Sequence, residues 1–445
     1  MNILYLHTHD SGRYLDPANS PRPLPNLERF AGSAATFRNA FSAAPTCSPS
    51  RGALLTGISP HANGLTGLAH RGFRLHNYDR HLAHYCRNAG METVLCGVQH
   101  IAPDKAEIGY DRVLDGPLDY FSRPATLPHE WDRENARRVA GYLREAGDRP
   151  FFLSLGLLST HRPFPPTPDG CEERRFPPPP AVVPDTPHTR EDMARFSASL
   201  QVVDEVVGTV LDALEAGGHF SDTVILLTTD HGPAFPEMKA TLQDGGTGVS
   251  MMLRIPDVAD DGRVEQALVS QLDAYPTLLE LIGASAPETS EGRSLLPLLR
   301  GEVSSVREAV FTETNYHANY EPARAVRTAR YKLIRHYREG LSPQPANVDD
   351  SPSKSLVEGA GYFAMPRARE QLVDLLLDPI ERWDVSVEPS YRRVYRELAG
   401  MLENWMEQTN DPLCSGTVPR PAGSRLNRQD AASAEEPTEE NVRQQ

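Results

Sequence analysis

Cysteine is scarce in this 445-residue chain: Cys47, Cys86, Cys96, Cys171 and Cys414 are odd in number and contain no Cys-x-x-Cys pair. That spacing offers neither a disulfide framework nor a cysteine zinc site, and a reducing, cytoplasmic setting is the simpler expectation. Positive charge is short as well. With 45 Lys and Arg against 60 Asp and Glu, the net charge of −15 argues against a nucleic-acid surface, though it leaves room for a small anion held by local charges. No segment is apolar for long enough to span a bilayer, and the residues after Met1 read as a strand instead of a basic and apolar leader, so no membrane partner is expected. No internal repeat is visible. The remaining composition, 39% hydrophobic and 24% charged, is that of a globular enzyme, and the length suits one large domain with a smaller one appended.

Four runs organise the chain. Asn2–His7, Glu92–Cys96, Phe151–Leu158 and Thr223–Thr229 are short and almost continuously apolar, as central strands of a parallel sheet covered on both faces must be. Each gives way to polar residues at its C-terminal end: His9-Asp10, then Val98-Gln99-His100, then Thr160-His161-Arg162, then Asp230-His231-Gly232. In an open parallel sheet such ends meet along one edge, so residues far apart in sequence can share a pocket. Met193, Phe196, Leu200, Val203, Val207, Val210, Leu211 and Leu214 share one face of a helix expected to start at Thr189, with Asp192 completing a capping box. The Pro163–Pro187 insertion, with prolines at 177–180, cannot pair in a sheet and is expected on the surface as a rim beside His161. Ala325–Ile334 alternates like an antiparallel strand with Gln371–Leu375 as its partner, and Val394–Thr409 reads as an amphipathic helix. The polar stretch from Ser415 onward is expected to be disordered.

One further stretch is hard to explain by packing. Cys47-Ser48-Pro49-Ser50-Arg51 is followed by an apolar run and Thr56-Gly57. Pro49 and its flanking serines favour a tight turn before a helix expected to start near Arg51. Cys47 would then face the unpaired N–H groups of a helix N-terminus, with the Arg51 charge nearby, and both suit an oxyanion. The pattern Cys-x-Pro-x-Arg, with the apolar run and Thr-Gly behind it, resembles the sulfatase signature. The resemblance extends from Asn2 to about Pro412, closest to the bacterial sulfamidase-like and arylsulfatase-like branch, with Pro163–Pro187 and residues 341–359 unmatched.

The resemblance implies an alkaline-phosphatase-like α/β fold, in which a large, mixed, mostly parallel sheet is sandwiched by helices. The catalytic domain would cover residues 1–310, and a small-sheet-plus-helix α+β subdomain residues 311–414, before a tail at 415–445. It implies metal-dependent hydrolysis of a sulfate ester or sulfamate by a formylglycine that a maturase makes from Cys47. The catalytic set would be Cys47, Arg51, His100, His161 and Lys239. His161 protonates the leaving group, while Lys239 and Arg51 neutralise the transferring group. One divalent cation, calcium ahead of manganese, would be held by His9, Asp10, Asp230, His231 and the modified Cys47. The substrate would be a small sulfated sugar or aryl sulfate. Two positions depart from the family pattern: His9 stands where an aspartate is usual, and Val98 where a lysine is. A phosphonate or phosphate ester hydrolase of the same superfamily is the nearer alternative, and a non-catalytic binder of sulfated ligands the farther one.

Overall fold

Side chains of β1 (Asn2–Thr8) alternate between two buried cores: Ile3 and Tyr5 pack to one side, Leu4 and Leu6 to the other. A strand with apolar residues on both faces needs helices on both, and the structure, a computed structural model describing residues 1–116, 127–167, 176–338 and 342–441, supplies them. The helices Pro128–Glu145 and Pro187–Ala216 cover one face, and Cys47–Thr56, Leu82–Asn88 and Ala274–Leu281 the other.

The large sheet is built from β1, β2 (Ala35–Phe41), β3 (Glu92–Gly97), β4 (Arg112–Val113), β5 (Phe151–Gly156), β6 (Thr223–Thr229), β7 (Met251–Arg254) and β8 (Val264–Ser270), in the order β4-β3-β5-β1-β6-β7-β2-β8. The β3, β5, β1 and β6 strands pair in parallel, so their C-terminal ends lie on one edge, as expected. β7 runs antiparallel to both β6 and β2, which turns β2 back into the common direction and brings the segment leading to Cys47 to the same edge.

The smaller sheet is antiparallel throughout, in the order β12 (Glu370–Asp374), β11 (Tyr331–His336), β10 (Tyr320–Thr328), β9 (Ala309–Tyr316). Val326, Leu333 and Leu372 bury one of its faces against Leu398, Leu402 and Trp405 of the helix Arg392–Gln408. Together the two sheets give the expected fold class. No helix among the described residues is long and apolar enough to cross a membrane.

Four local expectations need correction. The signature helix starts at Cys47, four residues before Arg51, because Pro49 falls in the first turn, where its missing N–H has no partner to lose. The long helix starts at Pro187, with Thr186 as its cap and Thr189 completing the capping box, while Asp192 binds Arg162 through both oxygens at 2.7 Å. Ala325–Ile334 is two strands with a turn at Ala329-Arg330, and the Gln371 strand pairs with the second of them. Finally, residues 415–441 are ordered. Val418, Leu426 and Ala431 are buried, and β13 (Arg425–Asn427) pairs with β14 (Thr438–Glu440). Three isolated apolar anchors do not make a period, so composition alone hides them. Of the proline-rich insertion expected as a rim, residues 168–175 lie outside the described residues.

Candidate active site

Cys47 is the first residue of a ten-residue helix whose N-cap, Thr46, has extended backbone geometry and makes no side-chain cap. The N–H groups of that first turn are therefore the natural partners for negative charge at position 47. The side chain is 2% exposed, with Sγ 3.4 Å from His231 Nε2 and 3.9 Å from His9 Nδ1. Burial, with Asp10 and Asp230 adding to it, pushes the thiol well above its ordinary pKa against the pull of Lys239 and Arg51.

Around Cys47 the edge of the sheet gathers His9 and Asp10 from the end of β1 and Asp230 and His231 from the end of β6. One ligand atom from each of these five residues lies within 4.8 Å of all the others. His9 Nδ1 is 2.8 Å from Asp10 Oδ1 and 3.3 Å from Asp230 Oδ2, and His231 Nε2 is 3.3 Å from Asp10 Oδ1. The backbone holds the carboxylates in place: the N–H of Asp10 and that of His231 both donate to Asp230 Oδ1, at 2.8 and 2.9 Å. His231 donates its Nδ1–H to the Gly232 carbonyl at 2.9 Å, which leaves Nε2 as the ligating nitrogen, the arrangement that orients most metal-bound histidines.

The donor set fits a divalent cation in its protonation states too. Burial raises the Asp10 and Asp230 carboxyls, yet their neighbours win: Lys239, with His161 and His231, holds Asp10 below the usual carboxylate range, and His231, His9 and Arg51 do so for Asp230. Burial also drives His9 well below its ordinary value, so its imidazole is neutral with a lone pair to offer.

Arg51 sits behind this cluster. Its guanidinium donates to Thr8 O at 2.8 Å and to Asp230 Oδ2 at 2.9 Å, and packs against His7 Nδ1. These bonds fix the guanidinium between a carboxylate of the cluster and a backbone carbonyl. Lys239 stands on the other side, with Nζ 2.8 Å from Asp10 Oδ2 and 3.2 Å from Asp349 Oδ2. Its ammonium is held well above its ordinary pKa because Asp10 and Asp349 outweigh burial.

His161 and His100 arrive from the ends of β5 and β3. The His161 ring meets that of His9 edge-on at 4.7 Å between centroids, and Nδ1–H donates to the Arg162 carbonyl at 2.6 Å. Asp132, on the helix Pro128–Glu145, fixes the turn before His161 by accepting from the N–H groups of Leu158 at 3.0 Å and Ser159 at 2.6 Å. His100 Nε2 lies 2.8 Å from His70 Nδ1, with the two rings stacked. Val98, where the family's lysine is expected, is wholly buried with Trp131 and Leu158. Asp10, His100 and Thr160 all have positive φ, of 50°, 50° and 83°, a conformation that costs non-glycine residues roughly 1–3 kcal/mol each and collects at functional sites. Thr160 is held there by its hydroxyl, which donates to His9 O and lies 2.8 Å from Ser11 Oγ.

The structure thus brings together eight of the nine expected site residues around one cluster, with Arg51 behind it. It adds Asp349, His70 and His317. Asp349 lies just before the Ser351 cap of the helix Pro352–Gly359, and His317 at the turn between β9 and β10 feels the charges of Lys239 and Asp349. None of the three follows a strand of the large sheet, which was the signal used. The pairing of His70 with His100 was hidden because an exposed loop histidine is usually just solvated.

Comparison with known proteins agrees with this geometry. The sulfatase family model matches residues 2–284, and the model described as N-sulphoglucosamine sulphohydrolase, C-terminal, matches residues 239–349. Human N-sulphoglucosamine sulphohydrolase is 28% identical over 91% of this chain and 88% of its own length. A choline-sulfatase of Rhizobium meliloti is 25% identical over 82% of this chain and 78% of its own. Among solved structures, a protein in complex with its substrate D-glucosamine-2-N,6-O-disulfate superposes with a TM-score of 0.71 at 17% identity, covering 92% of this chain and 98% of that one. Since the first of these matches runs through every strand whose end feeds the cluster, the chain belongs to the sulfatase family and is a sulfuric ester or sulfamate hydrolase.

Proposed function

We propose that the enzyme cleaves the S–O bond of a sulfate ester or the S–N bond of a sulfamate at a formylglycine formed from Cys47, with one divalent cation held by His9, Asp10, Asp230 and His231. The observation that carries this reading is the position of Cys47, first in a buried helix and inside the ring of ligand atoms. A thiol pushed far above its ordinary pKa is a poor nucleophile, so the unmodified side chain is unsuited to attack. As formylglycine, the same position supplies a hydrate oxygen for attack at sulfur and a second hydroxyl for release of sulfate. The cation, when bound, supplies Lewis acidity toward that hydrate and toward a sulfate oxygen.

The chain's own residues do the rest. The first turn of the Cys47–Thr56 helix points its N–H groups at developing negative charge. Arg51 fixes Asp230 and Lys239 fixes Asp10, and the Lys239 ammonium, whose charge is felt at Cys47, would also act on the transferring oxygens. With its Nδ1–H given to Arg162 O, His161 has Nε2 as the atom that protonates the leaving oxygen or nitrogen. His100 and His70 form a two-ring relay suited to taking the proton of the second hydroxyl.

Two imidazole nitrogens among four donors match manganese, a transition ion with some affinity for nitrogen, better than calcium, which prefers oxygen throughout. The relatives' names, a sulphohydrolase of N-sulphoglucosamine and a protein solved with a disulfated glucosamine, support a sulfated amino sugar as substrate. A separate maturase would supply the oxidation of Cys47. Phosphonate ester hydrolysis is the second reading, favoured by the histidine at position 231 in an Asp-His metal pair. Mass spectrometry of the Cys47 peptide, with parallel turnover of an aryl sulfate and an aryl phosphonate, tests both. Sulfate turnover is expected to rise in proportion to the aldehyde fraction, and full activity with an intact thiol would refute the reading.

A further inference from the structure

Beside the cluster lies a cavity of about 320 Å³, a volume within the range of small-molecule sites. His161 and Asp349 line its inner end, and both lie within one ligand-atom spacing of Asp10, which joins the cavity to the metal-facing residues. Because His161 is the group placed to protonate the leaving atom, a space bounded by His161 is where the leaving group must go.

Another part of the lining is unexpected. It is made by Ser433, Ala434 and Glu435, from the tail beyond the end of both family matches. The segment is anchored, not draped. Arg71 donates to Asn427 Oδ1 at 2.7 Å and to Ala434 O at 3.1 Å, Lys354 Nζ donates to Ala432 O at 2.7 Å, and the Ser433 hydroxyl donates to Asp350. Arg71 adjoins His70, which contacts His100, so the tail is tied to the same loop as the relay.

The charges in the cavity sort themselves. Asp192 is bound by Arg162, Glu191 by Arg195, Asp349 by Lys239 and Asp350 by Lys354. Among the described residues no cation stands within ion-pair distance of Glu435, although Arg71 feels its charge from farther away. The uncompensated charge of the cavity is therefore negative, and it comes from the tail.

We propose that Glu435 is a specificity-determining residue: the C-terminal tail closes the leaving-group subsite and selects a neutral or cationic alcohol or amine over one bearing further sulfates or carboxylates. This rests on the reading of the site as a sulfatase centre. A sugar or alcohol carrying one sulfate enters with its anion at the cluster and its remainder against Glu435. A second anionic group on that remainder meets the like charge of Glu435 at the cavity lining.

The full-length, formylglycine-containing enzyme and its Glu435→Lys variant provide the test, with 4-nitrophenyl sulfate, glucosamine N-sulfate and glucosamine 2-N,6-O-disulfate as substrates. Glu435 is exposed, so the substitution leaves the fold intact. Wild type is expected to prefer the monosulfated sugar, and Glu435→Lys to shift the ratio of kcat/KM toward the disulfated one by about tenfold, as reversal of one nearby charge should. Turnover of the aryl sulfate should change less than about twofold, since its leaving group carries no second anion to meet position 435. An unchanged ratio, or a wild type that favours the disulfated sugar while still hydrolysing the aryl sulfate, would overturn the role of Glu435 and leave the sulfatase reading standing. Failure of fully converted wild type on all three sulfates would bring down that reading, and the specificity proposal with it.

Discussion

Lys239 reaches Asp10 at 2.8 Å, so a lysine that sequence resemblance assigns to the substrate also binds a carboxylate assigned to the metal. One side chain thereby couples the two halves of the site. Because Val98 removes the other lysine, Lys239→Ala is expected to lower kcat by about a hundredfold, the scale of losing one donor to a developing oxyanion. KM should change much less, the mark of an interaction strongest in the transition state. A variant with near-normal kcat would leave Lys239 as a support for Asp10 alone.

Metal content gives a second prediction. Purified wild type should carry one divalent cation per chain, manganese ahead of calcium when both are supplied, and Asp230→Ala should lose it. Asp230 contributes a ligand atom, receives two backbone N–H groups and anchors Arg51, so its removal disorders the ring as well as subtracting a donor. Elemental analysis of both proteins decides, and equal content would remove Asp230 from the ligand set.

Asp132 offers a third prediction, remote from the reacting atoms. Its carboxylate accepts from Leu158 and Ser159, and burial, partly offset by these hydrogen bonds, pushes it up to about 6. Since the folded value lies above that of the unfolded chain, ionising Asp132 costs stability, which should fall as pH rises from about 4 to about 6. Asp132→Asn should flatten that slope, and with its oxygen in the Oδ2 position it sets the amide NH2 where Oδ1 accepted from Leu158. Its cost is about 1–3 kcal/mol, with a fall in kcat from a looser His161 turn. Denaturation at several pH values alongside kinetics reads both effects.

The fourth prediction concerns the buried network of His61, Glu313, Arg324 and Asp411 that ties the Pro60–Asn63 turn to the small sheet. Burial opposes ionisation of Glu313, but His61 and Arg324 bring it down to about 2 from 4.5. A depressed carboxyl stabilises the fold above its unfolded pKa, so this contribution should be complete above about pH 5 and fade as pH falls toward 2. Glu313→Gln should cost about 3–5 kcal/mol at neutral pH, because Arg324 and His61 are left buried with less compensation. Its stability should also depend less on pH between 5 and 3 than that of wild type, as urea melts would register.

The large sheet was readable because a strand buried on both faces leaves a continuous apolar run, and each run stopped where the polar site residues began. His9, Asp10, Asp230 and His231 were found that way. Asp349 and His317 were not, because they reach the cluster from the smaller sheet and its loops, where spacing along the chain carries no trace of proximity to β1. The start of the Cys47 helix was misplaced by reading Pro49 as a turn residue, when the first helical turn tolerates it equally well. The ordered tail escaped because its anchors are backbone carbonyls and three separated apolar side chains.

The burial of Cys47 also sets an order of events in the life of the chain. A side chain 2% exposed, at the head of a helix whose ten residues are all buried, is closed to any enzyme that must grip the surrounding peptide. The proposed conversion to formylglycine would then have to precede folding, while residues 43–57 are still extended. A molecule that folds first keeps its thiol, and keeps it for as long as the fold lasts. Two populations, one converted and one inert, would then exist side by side, and only unfolding could return the inert one to the queue.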